Sequence, residues 1–170
     1  MEKDLALIEE IIGEHKTIMQ GVQNLEQVAS DTEAIASLEE AKEGFMPGRL
    51  GQEQSLQKLQ EALETIDQGL QAHFSREETA LLSVFKKHGN KELVSALRSL
   101  LLEHDDLRNR LTHSKKHVAE LLSGGLSRHR WEASAHDMRA HISHTRKLLE
   151  AHAGIEWELF HKLQTELMNA

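Results

Sequence analysis

The amino-acid sequence predicts an all-α protein that folds as an antiparallel up-down four-helix bundle. Apolar residues recur at helical spacing in four long runs. Only one proline and ten glycines occur among the 170 residues, so helix breakers are few. No stretch shows the apolar–polar alternation that is typical of a β-strand. These observations favour long helices joined by short connections.

Two of the apolar runs occupy the first half of the chain. The first consists of Leu5, Ile8, Ile12, Ile18, Val22 and Leu25. The second consists of Leu56, Leu59, Leu63, Ile66, Leu70, Leu81 and Val84. Between them, SDTEAIASLEEAKEGFMPGRLG predicts a long connection with a short helical piece before Gly44. Gly89 in KKHGN is predicted to end the second helix, and Asn90 to cap the third.

The second half of the chain contains the other two runs. The third consists of Leu93, Leu97, Leu100, Leu107, Leu111, Val118 and Leu121 and ends at SGG. Ser127 is predicted to cap the fourth helix, whose apolar positions are Met138, Leu148, Ile155, Leu159 and Leu163. A length of 170 residues suits one domain. We therefore expect residues 1–170 to form a single bundle.

Composition excludes several classes of partner. The formal net charge of −8 and the lack of a dominant basic cluster argue against binding to nucleic acid or anionic membranes. No uncharged run approaches membrane-spanning length, and the acidic start MEKDLALIEEIIGEH lacks the regions of a secretion signal. The absence of cysteine excludes disulfides and thiolate ligands. A cytoplasmic location fits this composition, and the sequence favours no particular oligomeric state.

Each apolar run is interrupted once by polar residues of the same kind. Every run places one histidine on its core face, and the second and fourth runs add a glutamate four residues later, on the same helix face. The six residues are His15, His73, Glu77, His104, His152 and Glu156. They are the candidate site residues of this chain.

Residue numbers predict that these six side chains lie at one height in the bundle. Residues equidistant from a turn are level in an antiparallel hairpin. The midpoint of residues 73 and 104 is 88.5, inside KKHGN, and that of 104 and 152 is 128, beside SGG. The midpoint of 15 and 73 is 44, inside the long connection. We therefore expect the six residues to converge.

An internal repeat supports this convergence. EHKTIMQGV followed by HFSREETALL parallels EHDDLRNRL followed by HAGIEWELF. In each half, a histidine preceded by glutamate is followed by His-x-x-x-Glu. The two halves are predicted to be a duplicated helix pair, which places the site near a pseudo-twofold axis.

The predicted layer suits metal ions. Burying two carboxylates and four imidazoles without compensation is costly, and imidazole and carboxylate are good ligands for iron, manganese or zinc. Two ions divide the six ligands naturally: each takes two histidines, and Glu77 and Glu156 bridge. With a bridging oxide or hydroxide, a sixth position stays open for a small ligand such as dioxygen. The alternative is a metal-free interaction bundle with a hydrogen-bonded polar core.

The remaining histidines and the tryptophans are expected to serve packing or to face solvent. His88 is expected in a turn, and His141, about 16 Å along its helix from His152, is expected in the core or at a second site. Solvated positions or loop ends are predicted for His113, His117, His129, His136, His144 and His161. Trp131 and Trp157 are predicted to anchor packing. Glu14 and Glu103, each next to a candidate ligand, are expected to be exposed, with a hydrogen bond to that histidine as the alternative.

The order His, His-x-x-x-Glu, His, His-x-x-x-Glu resembles the hemerythrin-like family, the HHE cation-binding domains, over nearly the whole chain. The resemblance implies a non-haem di-iron centre held by His15, His73, Glu77, His104, His152 and Glu156, which each match a motif position. Oxygen-carrying invertebrate hemerythrins have a further ligand histidine where this chain has Arg108. The chain therefore resembles the bacterial and sensor-type branch.

Two functions are compatible with such a centre. The first is a binding protein that binds or senses oxygen, nitric oxide or iron itself. The alternative is a di-iron enzyme that acts on peroxide or oxidises iron. Ferritin-like oxidases use more carboxylate ligands, and a histidine-rich set stabilises high oxidation states less. The ligand set thus favours binding over turnover.

Overall fold

In the computed structural model, the described backbone covers residues 2–40 and 50–169, and the described side chains cover residues 2–30 and 54–168. The helices are α1 (Glu2–Glu40), α2 (Leu50–Arg76), a π-helical segment (Glu77–Leu81), α3 (Leu82–His88), α4 (Lys91–Leu101), α5 (Glu103–Leu122) and α6 (Arg128–Asn169). No strand occurs in these ranges. None of the described helices is both long enough and apolar enough to span a membrane, and the cytoplasmic location stays a prediction.

The helices form the expected four-helix bundle. Helix α1 packs against α2 and α6, and α5 packs against the same two helices, which closes the ring. We call each of the four long helical segments of the bundle a rod. The first rod is α1 and the fourth is α6. The second consists of α2, the π-helical segment and α3, and the third consists of α4 and α5. The prediction of an all-α bundle is confirmed.

The predicted helix ends around the two short connections are also confirmed. The Gly89 N–H donates to the Phe85 carbonyl at 2.7 Å, and a Cβ atom at Gly89 would lie 2.7 Å from that same oxygen. Asn90 then caps α4, because its Oδ1 accepts from the Leu93 N–H at 2.8 Å. At the start of α6, the Ser127 hydroxyl accepts from the Arg130 N–H at 3.4 Å.

Two sequence-based predictions about the helices are wrong. Helix α1 continues to Glu40 through residues assigned to the connection, because residues 31–40 contain neither glycine nor proline and are rich in good helix formers. The part of the connection around Gly44 lies outside the described residues. Ile155 and Trp157 are 48 % and 43 % exposed. They flank the buried Glu156, and neighbouring residues on a helix cannot share one face.

The polar layer separates two apolar clusters. One cluster includes Val22, Leu63, Leu70, Leu111 and Trp131, and the fully buried Trp131 confirms its predicted role as a packing anchor. The other includes Ile8, Leu81, Phe85, Leu97 and Leu163. On every rod, the two clusters lie on opposite sides of the candidate residues. The site therefore lies in the middle of the bundle.

Two rods have irregular backbones beside this layer. The π-helical segment begins at Glu77 itself, and π-helical turns are rare and frequently found at functional sites. The third rod is interrupted at the exposed Leu102, two residues before His104. Neither irregularity was predictable, since no glycine or proline lies at either place.

Candidate metal centre

The bundle brings all six candidate side chains together around two carboxylates. Glu77 is the more central one. Its Oε1 lies 2.9 Å from His73 Nε2 and 3.6 Å from His104 Nε2. Its Oε2 lies 3.9 Å from His15 Nε2. Histidines from three of the four rods therefore point their Nε2 atoms at this one side chain.

Glu156 completes the layer from the fourth rod. Its Oε2 lies 3.3 Å from His15 Nε2 and 3.5 Å from His152 Nε2. His152 Nε2 is in turn 3.2 Å from His104 Nε2. The six side chains therefore converge at one height in the bundle, as the sequence predicts.

The potential ligand atoms fall into two overlapping groups. One group joins His15, His73, Glu77 and Glu156, and the other joins Glu77, His104 and His152, each with its ligand atoms within 4.8 Å of one another. The four imidazoles are thus divided into two pairs, and Glu77 belongs to both groups. Such an arrangement suits two cations on either side of a shared carboxylate. The role of the six residues as ligands stays a prediction.

Burial leaves the two carboxylates of this layer without compensation from the protein. Both glutamates have no solvent-accessible surface, and their four carboxylate oxygens have no hydrogen-bond partner among the described residues. Both ring nitrogens of His73 also lack a well-aligned hydrogen bond, although its Nε2 lies only 2.9 Å from Glu77 Oε1. Buried carboxylates without donors or counter-ions are very costly. The residues therefore fit a metal centre, because cations would satisfy the same oxygens and nitrogens.

Three of the four imidazoles do not supply the missing positive charge. Burial lowers the pKa of His15, His104 and His152 below the ordinary value of 6.5, although the Glu77 carboxylate acts in the opposite direction. These rings are therefore neutral near pH 7. Neutral imidazole is also the form that binds metal.

Three more carboxylates lie on the outer side of the histidine rings. Glu78 lies 3.2 Å from His104 Nδ1, and Glu103 lies 3.4 Å from His152 Nδ1. Glu14 is more distant, at 3.8 Å from His73 Nδ1. An acceptor at Nδ1 holds the proton there and leaves the Nε2 lone pair for a metal.

These outer contacts modify the prediction of exposure for Glu14 and Glu103. Glu103 is half exposed and still reaches its histidine, whereas Glu14 is mostly buried and pairs with Arg76. Sequence analysis missed Glu78 entirely. Its only signal was its position next to Glu77, where a helix turns it toward the neighbouring rod rather than into the core.

Arg108 holds Glu78 in place. Its guanidinium donates to Glu78 at 2.9 Å, to Gln71 at 3.0 Å and to Asp105 at 3.2 Å, and it lies over the ring of Phe74. The hydrogen bond from Arg108 lowers the pKa of Glu78 and keeps it ionised. Arg108 therefore contacts the site through Glu78 and His104.

A small cavity lies beside one end of the layer. Its free volume is about 20 Å³, which is room for one water-sized molecule. The lining residues are His15, Ile18, Met19, Leu70, His73, Phe74, Leu149, His152 and Ala153. His15 is the candidate ligand with the most solvent contact, since 13 % of its side chain is exposed. The cavity thus lies between apolar side chains and three of the candidate histidines, His15, His73 and His152.

The other histidines lie outside this layer. His88 is the last residue of α3, and its Nε2 lies 2.6 Å from Asp4 Oδ2. The predicted exposure is confirmed for His113, His129, His136, His144 and His161. His117 is half-buried, so its predicted solvation is wrong; it packs with His113 and His141 in a separate cluster.

Fold and site together define a class: a helical-bundle protein with a buried histidine–carboxylate layer suited to cations. The family model for the hemerythrin HHE cation binding domain matches residues 6–163. The chain belongs to this family, and cation binding is its function at this level of description. Comparisons with curated proteins and with solved structures gave no match. The bacterial and sensor-type branch stays a prediction.

Proposed function

We propose that this protein holds two iron ions in its core layer and binds a small ligand such as dioxygen or nitric oxide there. One observation carries the proposal: Glu77 is shared by two ligand groups while both of its oxygens are buried without hydrogen bonds. A single cation would leave one of these groups uncompensated. Zinc and manganese suit the same ligands in a purified sample.

The residues have distinct roles in this proposal. His15 and His73 hold one ion and His104 and His152 the other, while Glu77 and Glu156 lie between the pairs. When bound, two irons with an oxide or hydroxide bridge supply an open coordination position and reversible redox chemistry. Glu78 and Glu103 orient their histidines from outside. The surrounding apolar clusters exclude bulk water.

The cavity supports a diatomic ligand rather than a larger substrate. It borders His15 and His73 of one pair and His152 of the other, so an exogenous ligand would approach the two ions from this side. Its volume of about 20 Å³ admits a molecule the size of water or dioxygen. Its apolar wall, which includes Ile18, Leu70 and Phe74, favours an uncharged ligand.

The same cavity favours binding over catalysis. Among its described lining residues, the only titratable side chains are three histidines that the proposal assigns to metal. No further acid or base there is positioned to move protons during peroxide breakdown. The di-iron enzyme remains the alternative function.

Elemental analysis and absorption spectra test the proposal directly. We expect two equivalents of iron per chain after anaerobic loading with ferrous iron, and a reversible spectral change on adding nitric oxide. The matched variants are Glu156→Gln, which removes a buried carboxylate, and Glu158→Gln, which removes an exposed one on the same helix. Iron content should fall only in the first. One equivalent or none in the wild-type chain would contradict the proposal.

A peroxide assay separates binding from enzyme function. Iron-loaded protein is mixed with hydrogen peroxide, and oxygen evolution is followed with an electrode. The binding function predicts no evolution above that of Glu156→Gln protein with the same total iron. Sustained turnover that disappears in this variant would establish the enzyme instead.

A further inference from the structure

A second cluster of histidines lies between α5 and α6, apart from the core layer. The ring centroid of His113 is 4.6 Å from that of His117 and 4.7 Å from that of His141, and the centroids of His117 and His141 are 6.5 Å apart. His113 follows His104 by nine residues on α5, which corresponds to about 14 Å along the helix. The cluster therefore shares no ligand with the core layer.

We propose that His113, His117 and His141 form a second metal site that takes a borderline divalent cation such as Zn²⁺. A zinc-bound imidazole has its nitrogen about 2 Å and its ring centroid about 3 Å from the metal, so three tetrahedrally placed rings have centroids about 5 Å apart. The three observed separations lie on both sides of this value. The ligand nitrogens of the three rings do not all lie within 4.8 Å of one another, so metal binding requires the exposed His113 ring to turn. His113 and His117 have the i,i+4 spacing by which helical histidines share a metal.

The hydrogen bonds of the cluster leave nitrogen lone pairs available. His141 Nε2 lies 3.2 Å from the Arg110 carbonyl oxygen. A carbonyl only accepts, so Nε2 carries the proton and Nδ1 keeps its lone pair. His117 Nδ1 is buried without a hydrogen bond. A histidine whose second nitrogen donates to a backbone carbonyl is the usual arrangement of a metal ligand.

The protonation state also suits a metal. Burial lowers the pKa of His141, and its electrostatic interactions with His113, Arg110 and His117 lower it further, although the hydrogen bond to the Arg110 carbonyl raises it. His141 is therefore neutral near pH 7 and needs no proton release before binding. His113 is exposed, so a cation reaches the cluster from solvent and the His113 ring can turn toward its neighbours.

The ligand set selects the class of cation. Three imidazoles without a carboxylate suit Zn²⁺, Cu²⁺ or Ni²⁺, whereas Mg²⁺ and Ca²⁺ require oxygen ligands.

The duplicated fold does not require this cluster. By the register of the internal repeat, Asn24, Val28 and Ala62 occupy the corresponding positions of the first half. The first half of the bundle thus packs at these positions without histidine. The three imidazoles are specific to the second half, where they approach one another closely.

Zinc titration of the full-length, iron-loaded chain tests the site. Zinc chloride is added, unbound metal is removed by gel filtration, and zinc and iron are measured in the same samples. We expect wild-type protein to retain one more zinc per chain than the His113→Gln variant, with equal iron in both. Because His113 is exposed, this substitution leaves the fold intact, and a thermal melt checks it.

Two further variants complete the test. His117→Gln should lose the same zinc equivalent, whereas His144→Gln, which removes an exposed histidine from α6, should keep it. Equal zinc in wild-type and His113→Gln protein would overturn the inference. It would also be overturned if the added zinc appeared only as iron was displaced, or if His144→Gln lowered the zinc content equally. Zinc differences between variants do not depend on how the core layer is filled, so this inference and the proposed function can fail separately.

Discussion

The two halves of this bundle share a sequence pattern but give their histidines different surroundings. His15, His73 and Glu77 in the first half correspond to His104, His152 and Glu156 in the second. The pattern repeats closely, yet Glu77 takes part in both ligand groups and Glu156 in only one. The rod that carries Glu77 turns into a π-helix at that residue, whereas α6 is continuous around Glu156.

The residue after each core glutamate creates a second difference. In the first half it is Glu78, which lies against His104 Nδ1 and is held by Arg108. In the second half it is Trp157, which is exposed and packs against His161. His104 therefore has a carboxylate on its outer side that Trp157 cannot offer to His15.

The residue after each His-x-x-x-Glu histidine decides where the cavity lies. Phe74 follows His73 and stacks on His104 with ring centroids 3.9 Å apart. Its counterpart after His152 is Ala153, which lines the cavity beside His15. Phe74 also lines this cavity, so its large ring fills the space next to His104 while the small Ala153 leaves the cavity open. The repeated sequence pattern thus accounts for the ligand types, and the neighbouring residues distinguish the two halves.

The largest expected effect comes from removing each of the two core glutamates in turn. Glu77→Ala should lose both ions, because Glu77 belongs to both ligand groups. Glu156→Ala should retain one ion at Glu77, His104 and His152. Iron per chain, measured by elemental analysis, is the readout, and Glu158→Ala is the exposed control. Equal iron in the two buried variants would show that the halves are equivalent.

Filling the cavity should abolish ligand binding while the metal remains. Ala153→Phe places a ring where the second half has only a methyl group. The cavity holds only one water-sized molecule, so the ring would occupy the space that the ligand needs. Each 1.4 kcal/mol of lost binding free energy corresponds to about tenfold in affinity. We therefore expect nitric oxide to bind about tenfold more weakly or worse, as measured by spectral titration. The control is Ala151→Phe at an exposed position of α6; unchanged affinity in Ala153→Phe would place the ligand elsewhere.

Removing the outer carboxylates should have smaller and unequal effects. Glu78→Gln should weaken metal affinity by about 10–100-fold, the usual range for such partners. Glu103→Gln should change it by about threefold or less, because Glu103 is half exposed and lies at a longer distance, 3.4 Å. Competition with a chelator of known affinity measures both. The reverse order would mean that Glu78 does not orient His104.

The smallest expected effect is a dependence of stability on pH in the metal-free protein. The pKa of His15, His104 and His152 is lowered below 6.5 in the folded state. Above pH 6.5 these rings are neutral in both the folded and the unfolded protein. Below it the unfolded chain takes up protons first, so the free energy of unfolding falls until pH reaches the folded-state pKa values.

Thermal melts of metal-free protein between pH 7.5 and 5 should therefore show a decrease of a few degrees in Tm. The His104→Gln variant should show a smaller decrease, because it removes one of the three groups. A Tm that rises as pH falls would indicate that the imidazoles pair with Glu77 and Glu156 as cations.

The sequence alone determined the bundle, the caps at Asn90 and Ser127, and the convergence of six polar residues. Helical periodicity identifies the core face, and turn positions set the height of each residue. Both are local properties, so they can be read from spacing. The same spacing does not reveal which rod Glu78 faces, that α1 continues to Glu40, or that Ile155 and Trp157 are exposed.

The tertiary structure decided how the six residues are shared and what surrounds them. The central position of Glu77 depends on a π-helical turn, and no glycine or proline in the sequence indicates that turn. The cavity beside His15 depends on Ala153 and Phe74 meeting different neighbours across the bundle. The histidine cluster between α5 and α6 depends on the packing of two helices far apart in sequence. Contacts between rods, rather than the pattern within a rod, set these features.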